Sequence, residues 1–471
     1  MPRTEKDSLG EVQVPDEALW GAQTQRAVDN FPVSFRPLPP AFLKALAVLK
    51  QSAARANADL GLLDPKLAEA IAAAAQEVIE GKWDAQFPID VFQTGSGTST
   101  NMNLNEVLSN LAIRRLGGKV GSKTPVHPND HVNLGQSSND MIPSAAHLSA
   151  LTEVHRALLP ALEKLAAALE AKAKAFDGIV KLGRTHLQDA TPVRLGQVFG
   201  GYASQVRHGM DRIRKASTDL EELAVGGTAV GTGLNTHPKF SAKVCAHASK
   251  ATGLNLREAS NHFEAQGGRD AMVSVSGALK TLACSLIKIA NDVRWMASGP
   301  RAGLGEIILQ DLQPGSSIMP GKVNPVMCEV VCQVSAQVIG NDATITVAGQ
   351  AGNFELNVMI PVMARNLLES ISLIANACTL FADRAVAGIQ ANEKRCLELA
   401  LKSDAMVTSL NPLIGYDKAA ALVKESHKDG RTILELARER KILPPDVLEK
   451  ALDPRRMTEP GLPEGGAASG G

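Results

Sequence analysis

One long apolar seam constrains the fold more than any other feature of this sequence. Between Pro238 and Pro300 the chain contains no proline, so a helix can run through this span without interruption. Apolar residues recur there at alternating spacings of four and three, which is the period of one helix face. The seam consists of Val275, Leu279, Leu282, Leu286, Ile289, Val293 and Met296. The sequence therefore predicts one long helix that packs against others.

Three further segments show helical periodicity. Residues 151–169 carry a similar stripe, in which Pro160 is predicted to kink or break the helix. Residues 199–220 carry another, and residues 357–400 are again helical, with an interruption near Pro361. About five long helices with matching seams predict a bundle, whereas polar and glycine-rich loops interrupt the pattern too often for a coiled-coil rod. Strand-like alternation with hairpin turns is almost absent, so the predicted fold class is mainly α.

The rest of the chain predicts smaller helical parts on either side of this bundle. Residues 1–138 contain shorter helices joined by proline- and glycine-rich connections. A cluster of turn residues at 403–415 marks a second boundary, and the glycine-rich tail at 460–471 is expected to be disordered. We therefore expect three domains: an N-terminal domain over 1–138, the long-helix bundle over 139–402, and a small C-terminal domain over 403–471.

Composition argues against several classes of partner and location. The 471 residues carry 49 basic and 49 acidic side chains, and no basic stripe indicates binding to nucleic acid or a membrane surface. The charged N-terminus lacks the apolar core of a secretory signal, and charged residues interrupt apolar segments such as 273–296, so no membrane span is predicted. Of the six cysteines, Cys328 and Cys332 lie four residues apart with no histidine nearby, which favours buried thiols over metal ligands. A reducing, cytoplasmic location fits.

The stretch from Gly315 to Pro325 concentrates polar groups. It reads Gly-Ser-Ser-Ile-Met-Pro-Gly-Lys-Val-Asn-Pro, and its end predicts a helix with Asn324 as N-cap and Pro325 as first residue. A glycine-rich loop before a helix N-terminus offers free N–H groups and a positive dipole end to an anion, and Lys322 adds a charge. A plain turn can have the same composition, so the interpretation depends on the other polar clusters.

Four other polar clusters interrupt the apolar helical pattern. They hold more hydroxyl and amide groups than helix capping requires, and three of them precede a predicted helix. Together they predict a small, oxygen-rich anionic ligand held by neutral donors, helix N-termini and few cations. The clusters are residues 94–103, 127–140, 183–189 and 226–235.

His186 belongs to the third cluster, in a loop next to Gly183. A lone histidine is usually structural, but its neighbours Thr185 and Gln188 leave a structural and a functional interpretation equally open. The sequence has no H-E-x-x-H motif or Cys/His cluster, so no metal site is predicted. The glycine-rich stretches do not follow a strand, and G-x-S-x-G is missing, which argues against dinucleotide-binding, P-loop and serine-hydrolase sites.

These polar segments resemble those of the class II fumarases, in the fumarase/aspartase superfamily. The loop at 315–325 is similar to the family signature, and six further segments are similar to fumarase segments in the same order. Gly321, Ser96 and Thr191 are similar to fumarases rather than aspartases, whereas residues 98–100 are closer to aspartases. The six segments are residues 14–31, 94–107, 127–140, 183–192, 226–235 and 411–423.

The resemblance implies a fold, an assembly and an activity. The family fold is mainly α, and its homotetramer combines the central helices into one large bundle, with each active site drawing on three subunits. The implied activity is the reversible hydration of fumarate to (S)-malate, an anti addition of water that needs no metal and no organic cofactor. Removing the proton beside a carboxylate gives an aci-carboxylate, whose charge must be stabilised by several donors.

By resemblance, three residues carry the chemistry. Ser316 is the candidate base for the carbon-bound proton, His186 exchanges a proton with the leaving or attacking water, and Glu329 is the partner that holds the histidine. The resemblance also implies substrate contacts at Ser96, Gly97, Thr98, Ser137, Ser138, Asn139, Thr185, Ser317, Lys322 and Asn324.

A second, non-catalytic anion site is implied at His127, Asn129 and Asp130. Some family members have an arginine nearby, but here the sequence before His127 reads Lys-Thr-Pro-Val. A turn before the next helix explains these three residues equally well.

Two alternatives to a fumarate hydratase stay open. An aspartate ammonia-lyase uses the same α-proton chemistry with ammonia as the leaving group. A non-catalytic helical scaffold would keep only the fold, but the joint presence of the residues that the family uses argues against it. Those residues are Ser316, Lys322, Asn324, His186 and Glu329.

Overall fold

The computed structural model of the protein describes residues 2–462. Within them the chain is mainly α-helical, as predicted. The helices are α1 (Ala22–Asn30), α2 (Pro40–Asp59), α3 (Pro65–Ile79), α4 (Thr98–Arg115), α5 (Ser138–Glu153), α6 (Leu159–Ala175), α7 (Leu195–Ser217), α8 (Phe240–Thr252), α9 (His262–Gly267), α10 (Asp270–Met296), α11 (Val326–Gly349), α12 (Ile360–Arg384), α13 (Glu393–Lys402), α14 (Asn411–Ile414), α15 (Tyr416–Asp429), α16 (Ile433–Glu439) and α17 (Pro445–Ala451).

Short strands form five two-stranded sheets in the described residues. Three of these are hairpins, β1–β2, β3–β4 and β8–β9, and they correct the expectation that hairpins are almost absent. Pairs β7–β10 and β8–β9 are antiparallel, and β5–β6 is parallel. The strands are β1 (Arg3–Asp7), β2 (Gly10–Val14), β3 (Val180–Thr185), β4 (Gln188–Arg194), β5 (Glu222–Leu223), β6 (Arg257–Glu258), β7 (Ile307–Ile308), β8 (Gly352–Asn353), β9 (Leu356–Asn357) and β10 (Gln390–Ala391).

The chain divides into two compact units, and the divisions fall within or next to long helices. The first unit comprises the described residues up to Pro160 together with Gly209–Ala283 and Val334–Asn376. The second comprises Ala161–His208, Cys284–Gln333 and the described residues from Ala377 onward. The three predicted domains are a different kind of division and stay a prediction. Of the tail predicted to be disordered, residues 463–471 lie outside the described part of the chain.

In the first unit, α2 is the central helix. It packs against α3, α5 and α8, while α4 packs against α1 and α3. Its apolar face is fully buried at Phe42, Leu46, Leu49 and Ala53. Pro40 stands at the first helical position, where the missing N–H has no intrahelical partner to lose. Helix α2 is thus held by three neighbouring helices, and it also contacts the turn Pro128–Val132.

In the second unit, the β3–β4 hairpin packs against α13 and against the short helical segment Asp404–Leu410. The helices that follow build a small core of their own, as residues with spacings of three and four allow. This core contains Met406, Val407, Leu410, Ala419, Leu422, Ile433, Leu436, Ala437, Leu448, Ala451 and Leu452.

The predicted seam of α10 is buried. Each of its seven side chains is at most 5% exposed. Within the first unit, Asp342 of α11 accepts hydrogen bonds from Ser276 and Lys280 of α10, both at 2.7 Å. Within the second unit, Tyr202 of α7 donates to Asp292 of α10 at 2.9 Å. Polar contacts thus flank an apolar seam, as expected for packed helices.

Two prolines act differently from one another. Before Pro160 the helix is interrupted by a π-helical segment, Val154–Leu158, which agrees with the predicted break. Pro361, in contrast, lies in the first turn of α12 and does not interrupt it, because no intrahelical hydrogen bond is lost there. The break in the predicted helical stretch 357–400 falls after α12, in the segment before α13.

Among the described residues, two helices are long and apolar enough to cross a membrane by length and composition alone. They are Asp270–Met296 and Ile360–Gly388, whose most apolar windows are 44% and 50% buried within the chain. This differs from the expectation that charged residues rule out such a span. A core helix of a soluble protein passes the same test, so the finding is weak evidence for a membrane.

Candidate active site

The loop at 315–325 folds back on itself around the Ser316 side chain. The Ser316 Oγ atom accepts hydrogen bonds from the backbone N–H groups of Ile318 at 3.2 Å and Met319 at 3.0 Å. The ends of the loop are joined by a bond from the Gly315 N–H to the Lys322 carbonyl at 2.7 Å. Gly321 has a φ of 79°, in the left-handed region that favours glycine. The loop is therefore a built turn that directs two N–H groups at one oxygen.

The end of the loop differs from the prediction. Helix α11 begins at Val326, and the Pro325 carbonyl accepts from the N–H of Glu329 at 3.3 Å, so Pro325 lies at the cap position rather than inside the helix. The Asn324 side chain is not the N-cap. Its Nδ2 atom donates to the Gly315 carbonyl at 2.8 Å, which gives the loop a second closing bond. Lys322 is exposed, so its charge is free to meet an anion.

His186 lies at the tip of the β3–β4 hairpin rather than in an irregular loop. Thr185 pairs with Gln188, which leaves His186 and Leu187 as a two-residue turn. Their φ angles are 55° and 60°, as in the type I′ turns that match the twist of a hairpin. His186 and Thr185 are both exposed. The hairpin thus presents the imidazole at the end of a paired, ordered element.

A buried ion cluster, which no sequence pattern predicts, anchors this hairpin. Glu306 is fully buried, and its carboxylate lies 3.0 Å from Arg184 Nη1 and 3.4 Å from Lys181 Nζ. Burial lowers the pKa of Lys181, and the attraction to Glu306 opposes that shift. Cys396 of α13 adds a bond from its thiol to the Glu306 carbonyl. Arg184 is followed directly by Thr185 and His186, so the cluster fixes the base of the turn.

Replacing Glu306 with alanine should destabilise the protein and lower its activity. The change leaves Lys181 and Arg184 without their buried carboxylate, and removing one partner of a buried pair typically costs about 3–5 kcal/mol. We expect a loss of that size in the free energy of unfolding, measured by denaturant titration. The matched control is Glu153→Ala, whose partner Arg156 is largely exposed, so little change is expected. Equal losses in the two variants would contradict a structural role for the cluster.

The predicted pairing of His186 with Glu329 is not formed within one chain. Glu329 is half-buried in the first turn of α11. In the part of the chain that the structure describes, no hydrogen bond or ion pair joins it to His186, and none joins His186 to Ser316. Ser317 is exposed beside Ser316. The second unit therefore carries the candidate catalytic residues on two separate elements, and their pairing stays a prediction.

In the first unit, the cluster at 94–103 leads directly into α4, which begins at Thr98 rather than near residue 104 as predicted. Gly97 precedes the helix with a φ of 74°, and a Cβ atom there would lie 2.7 Å from the Ile142 side chain. Conformation and close approach both require glycine at this position. The Ser96 and Thr98 hydroxyls are 2.9 Å apart. The predicted contacts thus share one helix N-terminus.

The second cluster lies at the start of α5. Ser137 caps the helix in a capping box with Asp140, whose Oδ1 atom accepts from the Ser137 N–H at 3.0 Å. Asn139 donates from Nδ2 to the Ala229 carbonyl at 2.8 Å. Asp140 Oδ2 also accepts from the N–H groups of Gly226 and Thr228, each at 3.0 Å. The second and fourth clusters are therefore tied together through one buried carboxylate.

A buried lysine supports the same region and was also missed. Lys50 of α2 is fully buried, and its Nζ atom donates to the side-chain oxygens of Asn133 and Gln136, each at 2.9 Å. Burial lowers the pKa of Lys50 to about 7 and raises the pKa of Asp140 to about 6, while the attraction between the two charges opposes both shifts. The signal was available in the sequence: Lys50 falls on the apolar face of α2, between Leu46 and Ala53.

The residues of the implied second anion site form a short helical turn, Pro128–Val132. His127 Nδ1 accepts from the N–H groups of Asn129 and Asp130, both at 3.2 Å, and lies 3.3 Å from the Asp130 carboxylate. The imidazole therefore caps a turn, which was the alternative explanation for these residues. Anion binding at this turn stays a prediction.

The candidate metal ligands do not assemble. Among the described residues, no group of three His, Cys, Asp or Glu side chains is placed to hold a metal ion. The cysteines are free; Cys328 is buried and Cys332 half-buried. Burial raises the pKa of Cys328 to about 12, which favours the protonated thiol over the thiolate that would bind a metal.

Comparison with known proteins identifies the family. A family model described as "Lyase" matches residues 10–340, and one described as "Fumarase C C-terminus" matches residues 406–459. The chain is 53% identical over 460 residues to "Fumarate hydratase class II 2" of Pseudomonas aeruginosa, covering 98% of this chain and 99% of the relative. The chain belongs to the class II fumarase family. As a member of that family, this chain is a lyase.

Further relatives agree with this membership. The human "Fumarate hydratase, mitochondrial" is 53% identical over 460 residues, covering 97% of this fumarase-family chain and 90% of the relative. The crystal structure of class II fumarase from Schistosoma mansoni superposes with a TM-score of 0.95 at 41% identity, covering 97% of this chain and 99% of the other. Close agreement over nearly the full length confirms the mainly α, fumarase/aspartase-like fold.

Proposed function

We propose that this chain is a fumarate hydratase that interconverts fumarate and (S)-malate by anti addition and elimination of water. In the dehydration direction, the Ser316 alkoxide takes a proton from the methylene carbon of malate, and the electron pair moves onto the adjacent carboxylate. The resulting aci-carboxylate then expels the hydroxyl group of the neighbouring carbon. His186 donates the proton with which that group leaves as water, and fumarate remains.

The observation that carries this proposal is the environment of the Ser316 hydroxyl. A serine is a poor base in water, so its anion must be strongly stabilised before it can remove a carbon-bound proton. Two backbone N–H groups already point at the Oγ atom, and they would favour the alkoxide over the alcohol. Lys322 and the N-terminal end of α11 contribute positive potential in the same loop.

The exposed position of His186 suits a group that exchanges protons with water. Histidine is the side chain whose ordinary pKa permits both proton uptake and release near neutral pH. The ordered hairpin fixes the backbone of His186. The imidazole therefore keeps its orientation, and the ring remains free to contact a substrate. Glu329 is the proposed partner that would orient the ring and favour its charged form.

The neutral donors are proposed to hold the substrate carboxylates. Ser96, Thr98 and Ser138 lie at the starts of α4 and α5 in the first unit, where helix dipoles favour anions. Donors aimed at the aci-carboxylate stabilise the transition state more than the ground state. Each well-placed donor contributes about 3 kcal/mol in measured oxyanion holes, so several together supply a useful part of the acceleration. The remaining proposed contacts are Gly97, Ser137, Asn139, Thr185, Ser317, Lys322 and Asn324.

A homotetramer is proposed as the active form. The candidate base and the candidate histidine lie on separate elements of one chain, and Glu329 has no partner among its described neighbours, which fits sites completed by other subunits. The two apolar helices whose windows are about half buried within one chain fit burial between subunits. A cytoplasmic location is proposed as well, because all the cysteines are free.

The experiment that tests this function compares two substrates on the purified chain. Formation of fumarate raises the ultraviolet absorbance, so malate and aspartate can be assayed in the same way. We expect turnover of malate and none of aspartate. Turnover of aspartate alone would replace the proposal with an aspartate ammonia-lyase, and turnover of neither would favour the non-catalytic scaffold.

A further inference from the structure

A chain of hydrogen bonds links a buried ammonium to one of the proposed substrate ligands, entirely within the first unit. Lys50 donates to Asn133 Oδ1 at 2.9 Å. Asn101 Nδ2 donates to that same oxygen at 3.2 Å and also to the Ser138 Oγ atom at 3.0 Å. Asn105 Nδ2 makes a third contact to Asn133 Oδ1 at 3.2 Å. Three donors therefore converge on one carboxamide oxygen.

The donors and acceptors of these groups fix which group donates at each step of the hydrogen-bond chain. An ammonium has only donors, so it requires the oxygen of Asn133, and not the nitrogen, to face it. That oxygen in turn requires the nitrogen of Asn101 to face it. The Asn101 nitrogen then donates to Ser138, which leaves the hydroxyl hydrogen of Ser138 free to point elsewhere. A hydroxyl that already accepts one bond is thereby prepared to donate to a carboxylate.

The hydrogen-bond chain determines how the amides of Asn101 and Asn105 are oriented, although this orientation leaves their own oxygens without partners in the described part of the chain. The Oδ1 atoms of Asn101 and Asn105 are buried and have no hydrogen-bond partner among the described residues. A buried acceptor left unpaired is unfavourable. Both amides nevertheless turn their nitrogens toward Asn133, because its oxygen accepts from Lys50 Nζ and its own Nδ2 atom donates to the Gln136 carbonyl at 3.1 Å.

Lys50 also holds the segment that carries the other proposed ligands. Its second bond goes to Gln136 Oε1, directly before Ser137. Asn57, on the same helix, donates to the Leu134 carbonyl at 3.0 Å. Helix α2 therefore supports residues 133–138 from below at several points, and it is itself buried on three sides.

We propose that Lys50 is a positioning residue for catalysis, which sets the direction of the Asn133–Asn101–Ser138 hydrogen-bond chain so that Ser138 donates to a substrate carboxylate. This role rests on the proposed function. Lys50 does not touch the substrate and acts only through the two amides.

The test compares Lys50→Met with Gln51→Met in the full-length chain. Methionine is also unbranched and is only one heavy atom shorter than lysine, and it has no hydrogen-bond donor. Gln51 is the matched control, because it is also buried in α2 and hydrogen-bonded, but it faces α3 through the Ala72 carbonyl and Gln76. We expect Lys50→Met to raise the KM for fumarate about tenfold with a smaller change in kcat, the size of one lost hydrogen bond to a charged group. Gln51→Met should leave KM at the parent value.

A double-variant cycle separates this role from a purely structural one. If Lys50 acts through Ser138, the tenfold effect of Lys50→Met on kcat/KM should largely disappear in a Ser138→Ala background. Effects that simply multiply would overturn the proposal, as would a KM for Lys50→Met equal to that for Gln51→Met.

A milder variant and the parent enzyme keep the test decisive. If Lys50→Met fails to fold, Lys50→Gln replaces it, since an amide can present either an oxygen or a nitrogen and no longer enforces the direction. The same comparisons then apply, with a smaller rise in KM. A parent chain that does not hydrate fumarate would overturn the proposed function itself, whereas an active parent with an unchanged Lys50 variant overturns only this role.

Discussion

Ser316→Ala is expected to reduce fumarate hydration by about 10⁴-fold, the upper end of what loss of a general base costs. The substitution removes the oxygen on which two backbone N–H groups converge, and no other described side chain accepts those bonds. Folding should be preserved, because the loop remains closed by the Gly315–Lys322 and Asn324–Gly315 bonds. The measurement is kcat with fumarate, together with circular dichroism and the oligomeric state.

The control for this variant is Ser298→Ala. Ser298 is half-buried in the same unit, and its Oγ atom also accepts a backbone N–H, that of Leu304 at 3.0 Å. Both variants therefore lose a serine that stabilises a turn, but only Ser316→Ala also loses the proposed base. Near-parental activity in Ser316→Ala would exclude the serine as the base and leave the loop as an anion cradle.

His186→Asn is expected to lower kcat by about 10²–10⁴-fold, the usual range for loss of a general acid or base. Asparagine is chosen because it tolerates positive φ angles better than most residues, so the two-residue turn should keep its shape. Any loss of rate then reports on proton exchange rather than on the hairpin. The elimination from malate should suffer as well, because the leaving hydroxyl group needs a proton in that direction.

The matched variant for the histidine is Leu187→Asn. Leu187 is the other residue of the turn, with a φ of 60° and a side chain that is 72% exposed. If distortion of the turn alone lowered the activity, both variants would be slowed to the same extent. Equal rates for His186→Asn and the parent would remove the histidine from the mechanism and shift attention to another proton donor.

Regular features of the fold could be predicted because they depend on local periodicity. The seam from Val275 to Met296 follows a helical period over several turns, and no proline lies in that span. Ser316 and Lys322 are candidates from the sequence because glycine and proline cluster around them in an apolar region. The turn at His186 was missed, because its sequence lacks the Asn-Gly or Asp-Gly pairs that signal a type I′ turn.

The buried charged residues that support the candidate site could not be predicted in the same way, because they contact residues far away in the sequence. Arg184 and Glu306 are 122 positions apart, and no local pattern marks them as partners. Lys50 was overlooked for a different reason: a lysine in a helix is exposed by default, with its stem along the surface. Only its place on the apolar face of α2 distinguishes it, and a charge on a buried face is a signal in its own right.

The positive φ angle of His186 at the hairpin tip opposes the stability of the turn to the proposed role of its imidazole. A residue other than glycine is destabilised in this region by about 1 kcal/mol or more. His186 is exposed, and among the described residues its side chain makes no contact that would offset this strain. Glycine would relieve the penalty but would remove the imidazole. A substitution that relaxes this turn would therefore remove the imidazole that the proposed mechanism requires.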